Sequence, residues 1–315
     1  MKEMCPDLSI AIVSYNTLEL TRQCLQSIRD NTCSISYDVW VVDNNSTDDS
    51  AEMVAGEFPD VHLIRNKDNR GLAAATNQGM EASTGRYFLT MNSDTVVQPG
   101  ALDRMVEFMD AHPDAGAATA RLVLPDGGDH PLACGNPPTF KSEMLGALSA
   151  VSGRINDMVP ALRFGEPVDY RETREVRCIL WGTAMIVRRK VIDTIGGQDP
   201  RFFVYCEDTD WSMRIGKAGW KQYSVGDAVI VHYGGQSTKQ ASTRMNALLY
   251  KNRCRLTQKH DGLASGLVLR ATIASLSLIK ILKRAILYLL RPAARAEIGA
   301  EIARLWAVVR AVVTY

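Results

Sequence analysis

The feature that most restricts the fold is a series of short apolar runs, each ending in a polar or acidic cluster. LSIAIV leads into Ser14-Tyr15-Asn16, VWVV into Asp43-Asn44-Asn45, and YFLTM into Asn92-Ser93-Asp94. Short runs rich in Val, Ile and Leu and bounded by turn formers read as buried strands, which places strands at Leu8–Val13, Tyr37–Val42, Val61–Ile64 and Tyr87–Met91. Between them the period changes. Leu20, Cys24, Leu25 and Ile28 fall on one helical face within Leu18–Arg29, with Thr17 placed to cap it. Asp49–Gly56 and Leu72–Ser83 are further helices. Strand–helix alternation with short connections predicts an α/β fold: a mixed, mostly parallel sheet with helices on both faces.

The pattern continues with a helix at Ala101–Ala111 and a strand at Ala115–Leu124, and then fades. Residues from about 125 to 175 carry PDGG, CGNPP and GEP and little periodicity, which suggests an insertion that builds the acceptor side of a site. Val176–Trp181, Ala184–Val187, Gln222–Val225 and Ala228–Val231 read as strands, and Glu207–Ala218 as a helix closed by Gly219. Ala241–His260 is a basic helix; Leu263–Leu290 and Ala293–Val313 are apolar helices broken at Arg291-Pro292. The expected organisation is a catalytic domain over 1–260 and a C-terminal amphipathic helical region over 261–315.

Composition excludes several classes. A chain of 315 residues with 46% hydrophobic and 23% charged residues buries a sizeable core. A net charge of +1 argues against nucleic acid as a partner. The seven cysteines form no CxxC pair, so neither a zinc site nor a disulfide framework is indicated, and they fit free thiols in a reducing cytosol. The N-terminus reads as a first core strand rather than a signal peptide, and no apolar stretch reaches membrane-spanning length. A GxGxxG fingerprint after the first strand is missing, which disfavours a dinucleotide oxidoreductase; SYNTLEL stands there instead of the Gly-rich, Lys/Arg-bearing signature of a nucleotidyltransferase.

The candidate chemistry sits at strand ends, because ligands of open α/β sheets bind beyond the carboxyl ends of the strands. Ser14, Asn16, Asp43 and Asp94 all belong to that edge. Asn92-Ser93-Asp94 either closes a strand as an Asx-turn or presents a carboxylate to a hard divalent cation on a diphosphate. Glu207-Asp208-Thr209-Asp210 suits a helix N-terminus, with Asp210 able to pair with Arg214, and also supplies a carboxylate able to take a proton from a hydroxyl. Asp208 is the first choice for that base and Glu207 the second. Trp181 and Trp211 offer apolar faces for a sugar ring, or core packing. His232 ends a strand before Tyr233-Gly234-Gly235, where it can complete a site begun by Asp94.

Taken in order, SIAIVSYNTLEL, VWVVDNNSTDDS, NKDNRGLAAATNQGM, GRYFLTMNSDTVVQPGAL, WGTAMIVRRKVIDTIGGQD, FFVYCEDTDWSMRIGKAGW and AVIVHYGGQST resemble the family 2 glycosyltransferases of GT-A fold, in particular their rhamnosyltransferase-like branch. The resemblance spans roughly Leu8 to His260 apart from the insertion. It implies an inverting, metal-dependent transfer of a sugar, with dTDP-rhamnose the preferred donor and UDP- or GDP-sugars as alternatives. The acceptor would be a hydroxyl of a glycan or lipid-linked molecule in bacterial cell-surface polysaccharide synthesis. Ser14 and Asn16 would line the nucleotide pocket, Asp43 would bond the pyrimidine, and Asn69, Arg70 and Asn77 would lie near the nucleotide and diphosphate. Asn92-Ser93-Asp94 stands where the family has Asp-x-Asp, so Asp94 with His232 would hold Mg2+ or Mn2+, while Asn92 departs from the pattern. Glu207-Asp208 matches the acid pair containing the base. QxxRW is missing, which disfavours a processive synthase. A non-catalytic sugar-nucleotide-binding scaffold is the alternative outside enzymes.

From Gly262 onward there are eight Lys/Arg against two Asp/Glu, a net +6. Lys280, Lys283, Arg284 and Arg291 beside Leu and Ile suit a helix lying on an anionic membrane surface, at the inner face of the cell membrane. Packing against the catalytic domain, or a homodimer through these helices, is the other reading.

Overall fold

Strand β1 (Leu8–Ser14) is buried because it lies between two parallel neighbours, β2 (Tyr37–Asp43) and β4 (Tyr87–Asn92), and is covered on both faces. Leu8, Ile10 and Ile12 pack with Cys24, Leu25 and Ile28 of helix α1 (Leu18–Asn31). Ala11 points the other way, onto Met80 of helix α3 (Leu72–Ala82). A Cβ at Gly79 would lie 2.9 Å from that of Ala11, so the glycine lets α3 approach the sheet. The continuous apolar reading of these segments follows from burial on both faces.

The computed structural model describes residues 5–130, 134–149, 171–176, 179–234 and 242–314. Helix α2 (Ser50–Glu57) follows β2, and β3 (His62–Arg65) adds parallel to it. Beyond β4 come the short β5 (Thr95–Val97), α4 (Ala101–Ala111), β6 (Ala115–Val123), β7 (Cys134–Gly135) and α5 (Phe140–Ser149). Then follow β8 (Arg174–Glu175), β9 (Ile179–Leu180), β10 (Ala184–Arg188), α6 (Arg189–Ile195), α7 (Glu207–Lys217) and β11 (Lys221–His232). The main sheet runs β3-β2-β1-β4-β10-β6-β11-β5, with β8 also on β11. Its first four strands are parallel; β10 runs antiparallel to both β4 and β6, making the sheet mixed.

Besides the two-residue β7 and β8, three elements escaped the pattern reading. Thr95–Val97 is too short to show a period, Arg189–Ile195 is masked by its charged start, and Phe140–Ser149 lies within the presumed insertion. The expected strand Val176–Trp181 is described only in part, and residues 131–133 and 150–170 of the presumed insertion lie outside the described residues. The two short strands expected at Gln222–Val225 and Ala228–Val231 are one strand. Pairing with β6 resumes after a shift between Val225 and Val229, a bulge that carries Gly226-Asp227. Thr17 precedes α1 without capping it: Asp48 Oδ2 accepts the Leu18 N–H instead.

The chain divides into two compact units, one of residues 1–135, 167–203 and 207–237, the other of 136–166, 204–206 and 238–315. The first holds the sheet. The second is helical: α5, α8 (Ser242–Asp261), α9 (Leu263–Leu290) and α10 (Arg295–Val313) share a core of Ala147, Cys254, Leu269, Ile273, Val308 and Val312. A buried Arg253–Glu143 ion pair and two hydrogen bonds from Asn252 to the carbonyls of Val204 and Tyr205 tie its pieces together. Among the described residues no helix is long and apolar enough to cross a membrane.

Candidate active site

Register puts the candidate residues side by side. Ser14 lies opposite Asp43, and Val13 opposite Asn92, so the first three polar clusters share one edge of the sheet. There Asp43 accepts a hydrogen bond from the Ser46 N–H at Oδ2, while Oδ1 is buried with no partner among the described residues. An unpaired buried acceptor is costly unless a ligand donor completes it, and a nucleobase N–H has the required chemistry. Asn16, at φ +53°, accepts the Thr47 N–H and donates its own N–H to Ser46, locking the loop after β1 to the loop after β2. Ser14 is fully buried; its hydroxyl bonds Thr17 and Thr21, and Thr17 bonds Ser93. This hydroxyl chain fixes the Asn92-Ser93-Asp94 turn from below.

The loop before α3 is held by Asn44, a residue the sequence offered only as turn chemistry. Its amide donates to Asn69 and accepts from the Arg70 N–H. Asn69 also accepts the Gly71 N–H, and the Arg70 side chain is exposed. At φ +84°, with Phe203 O only 2.4 Å from where a Cβ would sit, position 71 admits glycine alone. Asn77 spends both its polar atoms on the main chain of Gln198, which is a scaffold role.

Asp94 and His232 meet although 138 positions separate them, because His232 on β11 pairs with Thr95 on β5. His232 Nε2 lies 3.3 Å from Asp94 Oδ1, both side chains being buried. Yet neither ring nitrogen of His232 has a hydrogen-bond partner among the described residues. The short approach therefore lacks hydrogen-bond direction and looks like two ligand atoms facing a common point. Neighbouring ligands of an octahedral cation about 2.1 Å from each donor are about 3 Å apart, so the spacing of the carboxylate–imidazole pair fits a divalent ion. Among the described residues no group of three or more His, Cys, Asp or Glu side chains forms a cation cage. The Asn92 side chain is partly exposed beside the pair.

The acid pair opens α7. Asp208 Oδ2 accepts the Gly182 N–H at 2.9 Å, and Oδ1 accepts the N–H and hydroxyl of Thr209. The next carbonyl, that of Thr183, accepts the Asn92 N–H. The Gly182-Thr183 turn thus bonds the acid pair on one side and the Asn92-Ser93-Asp94 turn on the other. Glu207 has Oε2 buried with no partner among the described residues. Burial pushes its carboxyl well above the usual range, and the neighbouring Asp208 charge adds to this. Burial also raises Asp208, but three hydrogen bonds to its carboxylate oppose the shift. The two acids are therefore split: Glu207 holds its proton more firmly, and Asp208 is the group more readily ionised.

The tryptophans part company. Trp181 is partly buried. Trp211 corrects the sugar-stacking expectation: it is fully buried, edge-on to Phe88, with its indole N–H donating to the Gly196 carbonyl. Its amphipathic ring completes the core under α7.

One edge of the mixed α/β sheet thus carries a carboxylate–imidazole pair and, through the Gly182-Thr183 turn, an acid pair. Residues 9–196 match the family described as Glycosyl transferase family 2, and the chain belongs to that family. An N-acetylglucosaminyl-diphospho-decaprenol L-rhamnosyltransferase of Mycobacterium tuberculosis is 29% identical over 241 residues, covering 71% of this chain and 76% of that one. Among solved structures, the mannosyltransferase PcManGT from Pyrobaculum calidifontis, in complex with GDP-Man and Mn2+, superposes with a TM-score of 0.55 at 17% identity, over 99% of this chain and 87% of that one. S. aureus TarS 1–349 gives 0.52 at 13% identity, over 98% and 91%. The chain is thus a family 2 glycosyltransferase of GT-A fold.

Proposed function

We propose that the protein is an inverting glycosyltransferase that moves a deoxyhexose, L-rhamnose by preference, from its dTDP carrier to a hydroxyl of a lipid-linked glycan in bacterial cell-surface polysaccharide synthesis. The observation that carries this reading is the linkage of two sites through one turn: Asp94 with His232, and Asp208 through Gly182-Thr183 to Asn92. The rhamnose and lipid-linked parts rest on the mycobacterial relative, whose name states both. UDP- and GDP-sugars are the alternative donors, since Asp43 offers an acceptor to more than one base.

Asp43 bonds the base through the open Oδ1, and the loop pinned by Asn44 brings Arg70 toward the phosphates. Asp94 and His232 would hold Mg2+ or Mn2+, which when bound would neutralise the charge that develops on the departing diphosphate. Asp208 takes the proton of the acceptor hydroxyl. That oxygen forms the new bond to the anomeric carbon as the bond to diphosphate breaks on the opposite face, so the configuration inverts. Burial favours the protonated form of Glu207, which limits the negative charge beside the base.

The acceptor class also accounts for helix α9. Gly266, Leu269, Ile273, Ser277 and Ile281 face the helical core, while Leu267, Leu278, Ile279, Leu282, Ile286 and Leu289 are exposed on the opposite face. With Lys280, Lys283 and Arg291 on the same helix and its end, this face has the chemistry of an interfacial helix on anionic lipid.

Donor binding is tested by thermal shift with dTDP, UDP and GDP sugars, with and without Mn2+. A ligand of the native state raises the melting temperature. The expected result is stabilisation by one nucleotide class that grows with Mn2+ and is lost in Asp94→Ala. No response to any sugar nucleotide would overturn the reading.

A further inference from the structure

A histidine that ligates a metal normally donates its other ring N–H to a carboxylate or carbonyl, which fixes the plane of the ring. His232 lacks that brace: Nδ1 is buried and has no hydrogen-bond partner among the described residues. A second imidazole lies against it. His130, itself buried, places its ring centroid 4.8 Å from that of His232 with the planes 40° apart. The position of His130 is well determined by main chain: its N–H donates to the Leu122 carbonyl on β6, just past a turn in which the Leu124 N–H bonds the Gly128 carbonyl. Asp129, the residue before it, forms ion pairs with Arg121 and Arg171. On the far side, a Cβ on Gly234 would sit 3.8 Å from His130 Nε2, so the same ring also lies along the turn that leaves His232.

We propose that His130 is a positioning residue for the cation site: ring packing from the β6 side holds the His232 imidazole in the plane that aims Nε2 at Asp94. This rests on the reading of Asp94 and His232 as metal ligands. Packing needs a flat ring of this size and not a ring nitrogen, which separates the role from direct ligation. His130→Phe should therefore preserve metal binding and His130→Ala should weaken it. Loss of an outer partner of a ligating histidine typically costs about 10–100-fold in metal affinity.

The test is a titration of the intact protein with Mn2+, followed by the electron paramagnetic resonance of free Mn2+, in the presence of saturating dTDP. Wild type, His130→Ala, His130→Phe and Asp94→Asn are compared, with melting temperatures measured alongside. The expected pattern is affinity close to wild type in His130→Phe, about tenfold or more weaker in His130→Ala, and abolished in Asp94→Asn, with all variants folded. Equal loss in His130→Phe and His130→Ala would show that a nitrogen is needed and overturn packing as the role. Unchanged affinity in His130→Ala beside abolished binding in Asp94→Asn would sink the His130 proposal while leaving the metal site standing. Failure of the wild type to bind Mn2+ at all would remove the metal site itself.

Discussion

Single residues decide the protonation chemistry of this site. Glu207 and Asp208 are adjacent and both buried, yet Asp208 has both carboxylate oxygens met by donors while Glu207 leaves Oε2 without a partner among the described residues. The sign of the resulting pH dependence is fixed. A carboxyl whose folded-state pKa is raised binds more protons in the native state than in the unfolded chain, so stability falls as pH rises from the ordinary glutamate range toward the raised value. Replacing Glu207 with the neutral isostere removes that penalty. Melting curves of Glu207→Gln and wild type should converge near pH 4.5 and separate as pH rises, the variant being the more stable at pH 8. A constant offset across that range would mean that Glu207 does not titrate above its ordinary range. The pair itself was legible in the sequence as CEDTD, but its division was not. Which acid is solvated by N–H groups depends on Gly182, which is 26 positions from Asp208 in the chain.

At the scale of elements, the strands and helices that carry the site were readable because they are buried on both faces and keep their period. β1, β2, β4, α1, α3 and α4 fall within two residues of where the pattern put them. Their polar ends were readable for the same reason: Asp43 and Asn92 interrupt apolar runs. Asp94 and His232 were expected to share a site, but the strand pairing that brings them together was not readable. The approach of His232 to Asp94 depends on the three-residue β5, too short to leave a period, and on the bulge that lets β11 continue past Gly226. The reverse error came from treating polarity near a motif as binding. Asn77 is polar because it clamps Gln198, far along the chain, and Ser14 because it feeds a hydroxyl chain through Thr17 and Thr21. Trp211 failed as a sugar platform for a related reason, since its ring is required by Phe88 and its N–H by Gly196.

At the scale of the whole molecule, a long apolar face of α9 is exposed among the described residues. Leu282 and Leu289 are 66% and 71% exposed. Burial of such side chains contributes about 1.5–3 kcal/mol each, which is enough for a row of them to drive association with a surface. Vesicle flotation distinguishes what that surface is. The full chain should float with phosphatidylglycerol-containing liposomes and less with neutral phosphatidylcholine, and Leu282→Glu with Ile286→Glu should abolish flotation while the melting temperature holds. Concentration-dependent dimerisation that the same two substitutions abolish, with no lipid binding by the wild type, would assign the face to a second copy instead.

The direct test of sugar transfer by this arrangement is turnover of the donor identified by thermal shift, measured in Asp208→Asn and Glu207→Gln with Mn2+ present. Asp208→Asn is expected to lose about two orders of magnitude or more in kcat, the usual scale for removing a general base, while Glu207→Gln stays within about tenfold of wild type near neutral pH. Near-normal kcat in a folded Asp208→Asn, or a larger loss in Glu207→Gln than in Asp208→Asn, would contradict it.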